Sequence, residues 1–116
     1  MGNVVKDKSY MFALDILKTC QYLIEVKKEF VLSKQLMRAG TSIGSNVREA
    51  LNAESRSDFI HKMKIAQKEC DETLYWLELL SQTNYIDPNV ISIQKQNASE
   101  LLKILKSIIL TTKQKS

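Results

Sequence analysis

Proline and glycine are almost missing from this sequence. Its 116 residues hold one proline and three glycines, too few for a fold built on tight β-turns and well suited to long helices. Histidine occurs once, as His61. A metal centre in a helical bundle draws on a Glu-x-x-His pair from each of two helices plus further carboxylates, so no metal site is expected. Cys20 and Cys70 have no Cys-x-x-Cys spacing. That argues against zinc and for buried free thiols in a reducing compartment. No apolar run approaches the ~18 residues of a membrane span. The opening MGNVVKDKSY has no apolar signal region, and Lys6 stands where a myristoylation signal beginning at Gly2 has Ser or Thr. A cytoplasmic location away from membranes is expected. No Gly-rich phosphate loop occurs, and no serine has a histidine base in a recognisable arrangement. The sequence predicts no catalytic residues, no cofactor and no enzyme activity.

What is present is the composition of a globular protein, 44% hydrophobic and 26% charged. Its length suits one domain, residues 1–116, with a single core. The net charge is +4, and the excess gathers at the C-terminal end. A modest excess of this kind permits contact with nucleic acid without demonstrating it.

Helical periodicity runs through most of the chain. Residues 1–8 have no period and read as a frayed leader. Ser9 then suits the N-cap of a first helix, about 10–29, with a seam of Ala13, Ile16, Leu17, Cys20, Leu23 and Ile24 and with Lys27 and Lys28 in its last turn. Phe30, Val31 and Leu32 connect to Ser33, the expected cap of a second helix, about 34–54. Its seam is Leu36, Gly40, Ile43, Val47 and Ala50. Ser55 and Asp58 resemble a capping box for a third helix, about 57–81. Phe59, Met63, Ala66, Cys70, Thr73, Leu77 and Leu80 follow there at alternating four- and three-residue steps. Asp87-Pro88 starts a fourth helix, about 88–111. Its seam is Ile91, Ala98, Leu101, Leu105 and Ile108, interrupted by Gln94, and a loose tail follows. Helices of about 20 residues, about 30 Å long, joined by short loops make an antiparallel up-down-up-down four-helix bundle of the all-α class.

The second helix has another face. At about 100° per residue, Arg38, Ser42, Asn46 and Glu49 fall on one polar strip. Placing the turn at residues 55–56 sets residue i of the second helix against about 111 − i of the third. Arg38 should then reach Glu72, and Glu49 should face Lys62. Trp76 lies on the same side of the third helix as Glu72. The strip reads as a solvated face, as a polar network between helices, or as an interface between subunits.

These segments also carry a family resemblance. The order is QLMRAGTSIGSNVREA, then SDFIHKMKIAQKECDETLYWLELL, a Tyr-Ile loop and a last amphipathic helix. It resembles the four-helix-bundle proteins encoded within intervening sequences of bacterial 23S ribosomal RNA genes. The positions that match best are Gln35, Leu36, Arg38, Ser42, Ile43, Asn46 and Glu49, then Phe59, Ile65, Ala66, Glu72 and Leu77. Ala50 departs from the pattern, which commonly has Gly there, and implies a second helix that runs on further. The resemblance spans Tyr10 to Ile109. It implies a ring-shaped homopentamer, and a loose kinship to the accessory protein of diversity-generating retroelements. That protein is a basic pentamer that binds nucleic acid and a reverse transcriptase.

Lys103, Lys106, Lys113 and Lys115 form the basic end of the fourth helix. On one chain they read as a solvated helix end. Repeated round a ring they would meet a polyanion together. No RNA-reading motif and no aromatic-and-basic platform stands out. The expected role is therefore a non-enzymatic, homo-oligomeric accessory or scaffold that holds RNA or DNA by its phosphate backbone. The rival is a protein–protein adaptor with no nucleic-acid role.

Overall fold

A computed structural model describes residues 3–115. Among them the chain forms four helices: α1 (Val4–Glu25), α2 (Leu32–Leu51), α3 (Arg56–Ser81) and α4 (Pro88–Gln114). Sequential helices pack side by side, and α4 returns to lie against α1. The result is the all-α, up-and-down bundle expected from the short loops, 48 × 25 × 20 Å. No helix among the described residues is long and apolar enough to cross a membrane.

The first helix differs most from its sequence reading. It starts at Val4, capped by Asn3, whose side chain accepts from the Lys6 N–H at 3.0 Å. Residues 3–8 are therefore capped helix, while Met1 and Gly2 lie outside the described residues. Ser9 is not a cap. It is buried inside α1, and its hydroxyl donates back to the Lys6 carbonyl at 3.1 Å. The extra turns bury Val5, and the seam runs through Val5, Phe12, Ile16, Cys20 and Leu23. Leu17, placed on the seam by periodicity, is exposed. At the other end α1 stops at Glu25, so Lys27 and Lys28 lie beyond its last turn. Lys28 adopts φ 55°, and the reversal lets the Glu29 N–H reach the Leu23 carbonyl at 2.9 Å.

Glu29 then does the capping expected of Ser33. Its carboxylate accepts from the N–H groups of Val31, Leu32 and Ser33 at 3.1, 2.9 and 2.7 Å. Partial burial is the largest single influence on Glu29 and disfavours its charge. The hydrogen bonds from Leu32, Ser33 and Val31 together outweigh it and hold the carboxyl below its ordinary range. Ser33 is the second residue of α2, buried, with its hydroxyl on the Glu29 carbonyl.

From α2 onward the seams match closely. Leu36, Gly40, Ile43, Val47 and Ala50 are buried. Every α3 seam residue from Met63 to Leu80 is buried, with Phe59 half-covered at the edge. The Ser55 side chain accepts from the Asp58 N–H at 3.0 Å. That of Asp87 accepts from the Asn89 N–H at 2.8 Å, with Pro88 opening α4. The α2 helix ends at Leu51, short of its expected end near residue 54, so Ala50 does not prolong it. α4 continues three residues beyond its expected end, taking Lys113 and Gln114 out of the tail; Ser116 lies outside the described residues. On α4, Ile109 takes the buried place expected of Ile108.

Most polar groups in the core are tied down, although Gln94 Oε1 has no partner among the described residues. The Gln94 side-chain amide donates to Thr19 Oγ1 at 2.7 Å and to Asp15 Oδ2 at 3.2 Å, joining α4 to α1. Cys20 and Cys70 are buried free thiols that donate to the Ser33 and Ala98 carbonyls at 3.4 and 3.2 Å. Burial pushes each to a pKa of about 12, which leaves neither a ready nucleophile.

Small residues on α2 let α1 approach. A β-carbon at Gly40 would lie 2.8 Å from Ile16 Cγ2 and 3.3 Å from Ile16 Cβ, whereas one at Gly44 meets nothing closer than Ser9 Oγ at 3.4 Å. Alanine stabilises a helix by about 1 kcal/mol over glycine, but overpacking costs about 1–3 kcal/mol. Ile16 is branched and fully buried, so it cannot swing aside. Gly40→Ala should lower the melting temperature and Gly44→Ala should raise it. Melting both variants beside the wild type checks the pair; a rise in both would show that α1 and α2 are less tightly apposed.

Candidate nucleic-acid interface

Two polar surfaces flank α3. On the α2 side, the antiparallel register places Arg38 against two carboxylates. Arg38 Nη2 donates to Glu72 Oε1 at 2.7 Å and Nη1 to Glu69 Oε1 at 3.0 Å. Lys62 Nζ meets Glu49 Oε1 at 2.9 Å, as the same register requires. The hydrogen bond from Arg38 is the main reason the Glu72 carboxyl is held below its usual range. Ser42 and Asn46 do not join this network across the helices. Both donate one turn back within α2, Ser42 to the Arg38 carbonyl at 2.7 Å and Asn46 to the Ser42 carbonyl at 2.8 Å. Trp76 is half-buried beside the strip. Its Nε1 is buried and has no acceptor in hydrogen-bond geometry.

On the α4 side a shallow groove of about 440 Å³ runs between α3 and α4, lined by Lys64, Gln67, Lys68, Asp71, Leu102 and Lys106. Lys113 lies beyond this lining, close enough to Lys64 to feel its charge. Side-chain contact with Lys64, and then repulsion between the two charges, lower the pKa of Lys113 below lysine's ordinary value. No carboxylate forms an ion pair with Lys64, Lys68, Lys106 or Lys113 among the described residues. The groove and its margin thus set four lysines against one acid, Asp71.

The C-terminal lysines expected to act together therefore separate. Lys106 and Lys113, seven residues apart, share the groove side of α4 within about 20°, whereas Lys103 is rotated about 60° from Lys106. Lys103 and Lys115 are exposed but do not line the groove. Lys64 and Lys68 come from α3 and were not legible as partners of the α4 lysines. Residues 55–86 are acidic overall, and only the facing of α3 separates its lysines from its acids. The register argument used for α2 and α3, applied to α3 and α4, sets residue i against about 169 − i and would have brought Lys64 to the level of Lys106. Beyond Asp71 on the same stripe of α3 stands Tyr75, exposed, so an aromatic does adjoin the basic groove.

A third surface mixes apolar side chains with Asp7, Lys8, Asp15, Lys18 and Glu100. A cavity of about 590 Å³ between α1 and α4 is lined in part by Met11, Leu14, Ile93 and Leu101. Met11 and Ile93 are exposed.

The comparisons agree with the bundle. A family model described as 23S rRNA-intervening sequence protein matches residues 2–107. No curated protein matches the chain. Among solved structures the chain is similar to a Bacteroides thetaiotaomicron protein of unknown function from the S23 ribosomal protein family. The two share 51% identity over 90% of this chain and 97% of that one, with a TM-score of 0.89. A match across nearly the whole bundle, in sequence pattern and in helix packing alike, means that this chain belongs to the 23S rRNA-intervening sequence protein family.

Proposed function

We propose that the protein is a non-enzymatic scaffold that works as a homo-oligomer and holds nucleic acid by its phosphate backbone along the α3–α4 groove. The observation that carries this reading is the groove itself, where Lys64, Lys68 and Lys106 face a single acid, Asp71. Lys113 feels the charge of Lys64 from across the groove, and an anion between them relieves that repulsion. Lys68 and Lys106 extend the same surface. The exposed, partly apolar groove between α1 and α4 supports assembly, and the family resemblance implies a ring of five. One subunit offers few phosphate contacts. Copies linked in an assembly add theirs by avidity.

The test is filter binding to RNA and DNA across a salt series, read with the oligomeric mass in solution. Each phosphate neutralised contributes roughly 0.7–0.9 to the slope of log affinity on log salt. Changing Lys64, Lys68, Lys106 and Lys113 together to Gln should flatten the slope by about three, while the Lys103→Gln, Lys115→Gln pair should change it little. Lys64→Gln alone should raise the melting temperature, since it removes repulsion from Lys113 and from Lys68 one turn on, and yet weaken binding. A binding surface and a merely solvated face differ in that combination. If the assembled wild type shows no affinity for either nucleic acid at low salt, this reading fails and the adaptor reading replaces it.

A further inference from the structure

The order of chemistry along the groove specifies the kind of strand it takes. Lys64, Lys68, Asp71 and Tyr75 are spaced four, three and four residues apart on α3, so they share a stripe about 60° wide and about 16 Å long. From α4, Lys106 lines the same groove as Lys64 and Lys68, and Lys113 lies near Lys64. The stripe therefore runs from two cationic positions to a carboxylate and then to an aromatic ring. Tyr75 is 53% exposed, much as Tyr10 is at 51%, but Tyr75 alone of the two stands on this stripe. It is also not loose. Its ring meets Trp76 edge to face, with centroids 5.0 Å apart and planes at 67°, which fixes its orientation at little further entropic cost on binding.

We propose that this stripe binds single-stranded nucleic acid, with phosphates at Lys64 and Lys68, beside Lys106 and Lys113 of α4, and an unpaired base stacked on Tyr75. The proposal rests on the polyanion reading above and narrows it. A duplex keeps its bases stacked inside and would bring a further phosphate to the level of Asp71, where the carboxylate repels it. A single strand can turn a base there instead. Its exocyclic amino group can donate to a carboxylate, and its face can lie on an aromatic ring whatever the sequence. Lys64, Lys68 and Tyr75 span the length of about three nucleotides, so the footprint per subunit is short.

Fluorescence anisotropy with a labelled single-stranded oligonucleotide, as RNA and as DNA, and with the matching duplexes, tests the idea on the full chain. The wild type should bind either single strand more tightly than its duplex at equal salt. Tyr75→Ala should weaken single-strand binding about tenfold or more with the salt slope unchanged, because no phosphate contact is lost. Tyr75→Phe should restore it, and duplex binding should not respond to either change. Trp76 is the only tryptophan and touches Tyr75, so its emission should change on adding single strand. Melting curves of both variants establish that this exposed position leaves the fold intact. Duplex bound as well as single strand, or a Tyr75→Ala affinity equal to wild type, overturns this inference while leaving phosphate binding by the lysines standing. Absence of binding to every oligonucleotide overturns both.

Discussion

Ala66→Asp is expected to abolish cooperative unfolding. Ala66 lies at the middle of the α3 seam with none of its surface exposed, flanked on that seam by Met63 and Cys70, both also fully buried. Neither can neutralise a carboxylate. A buried charge without a partner costs several kcal/mol even after the structure relaxes or the group takes up a proton. A domain of this size has only about 5–15 kcal/mol of stability to lose. At about 4 °C per kcal/mol, a surviving transition would fall by more than about 10 °C. Thermal melting followed by far-ultraviolet circular dichroism reads the effect. Ala66→Ser, which adds one hydroxyl able to bond back within the helix, should cost far less. An unchanged melting curve for the aspartate variant would place the α3 core face elsewhere.

That the aspartate prediction could be framed from periodicity alone reflects how the later helices announce themselves. α3 repeats apolar side chains at four- and three-residue steps, and Ser55 and Asp87-Pro88 mark the helix starts with side chains that cap locally. α1 gives weaker signals. Its buried face includes Ser9 and Thr19, polar residues that hydropathy places outside, while Met11, Leu14 and Leu17 are apolar and exposed. The pattern therefore rotates the seam toward Leu17 and hides Phe12. The α2 cap was missed for a different reason. Glu29 lies outside the helix it caps, and only the left-handed turn at Lys28 swings its carboxylate onto three N–H groups. Nothing in the local sequence requires a lysine to adopt that conformation. The same division holds at the candidate interface. Lys106 and Lys113 could be read as basic from α4 alone. Their partners Lys64 and Lys68 stand among Asp and Glu residues of α3 and emerge only when the two helices are placed face to face.

Arg38→Gln should lower stability by about 1–2 kcal/mol near neutral pH, and the loss should disappear in acid. A hydrogen bond between charged groups contributes about 1.5–3 kcal/mol. Arg38 makes two, but it is 48% exposed, so solvent screens both and the total is discounted. The pH dependence carries the sharper information. Glu72 has its folded pKa depressed, first by the hydrogen bond from Arg38. A depressed acid stabilises the fold above the unfolded glutamate value of about 4.3, and that contribution is lost as pH falls through the folded value. With glutamine at position 38 the guanidinium is gone, and the Glu69 and Glu72 carboxylates are left facing each other without a cation between them. Their repulsion then weakens the fold where both are ionised and is relieved when one takes a proton. Wild type and variant should therefore differ most near neutrality, by about 4–8 °C in melting temperature, and converge as pH drops below the glutamate range. Arg38→Lys should recover only part of the difference, because an ammonium cannot fork between two carboxylates. Melting temperatures of the three proteins across the acid range give the result. Curves for wild type and Arg38→Gln that stay parallel would mean that Arg38 stabilises α2 through packing of its stem alone. Curves that converge show that the contact between α2 and α3 is electrostatic, set by a register in which residue i of one helix meets about 111 − i of the next.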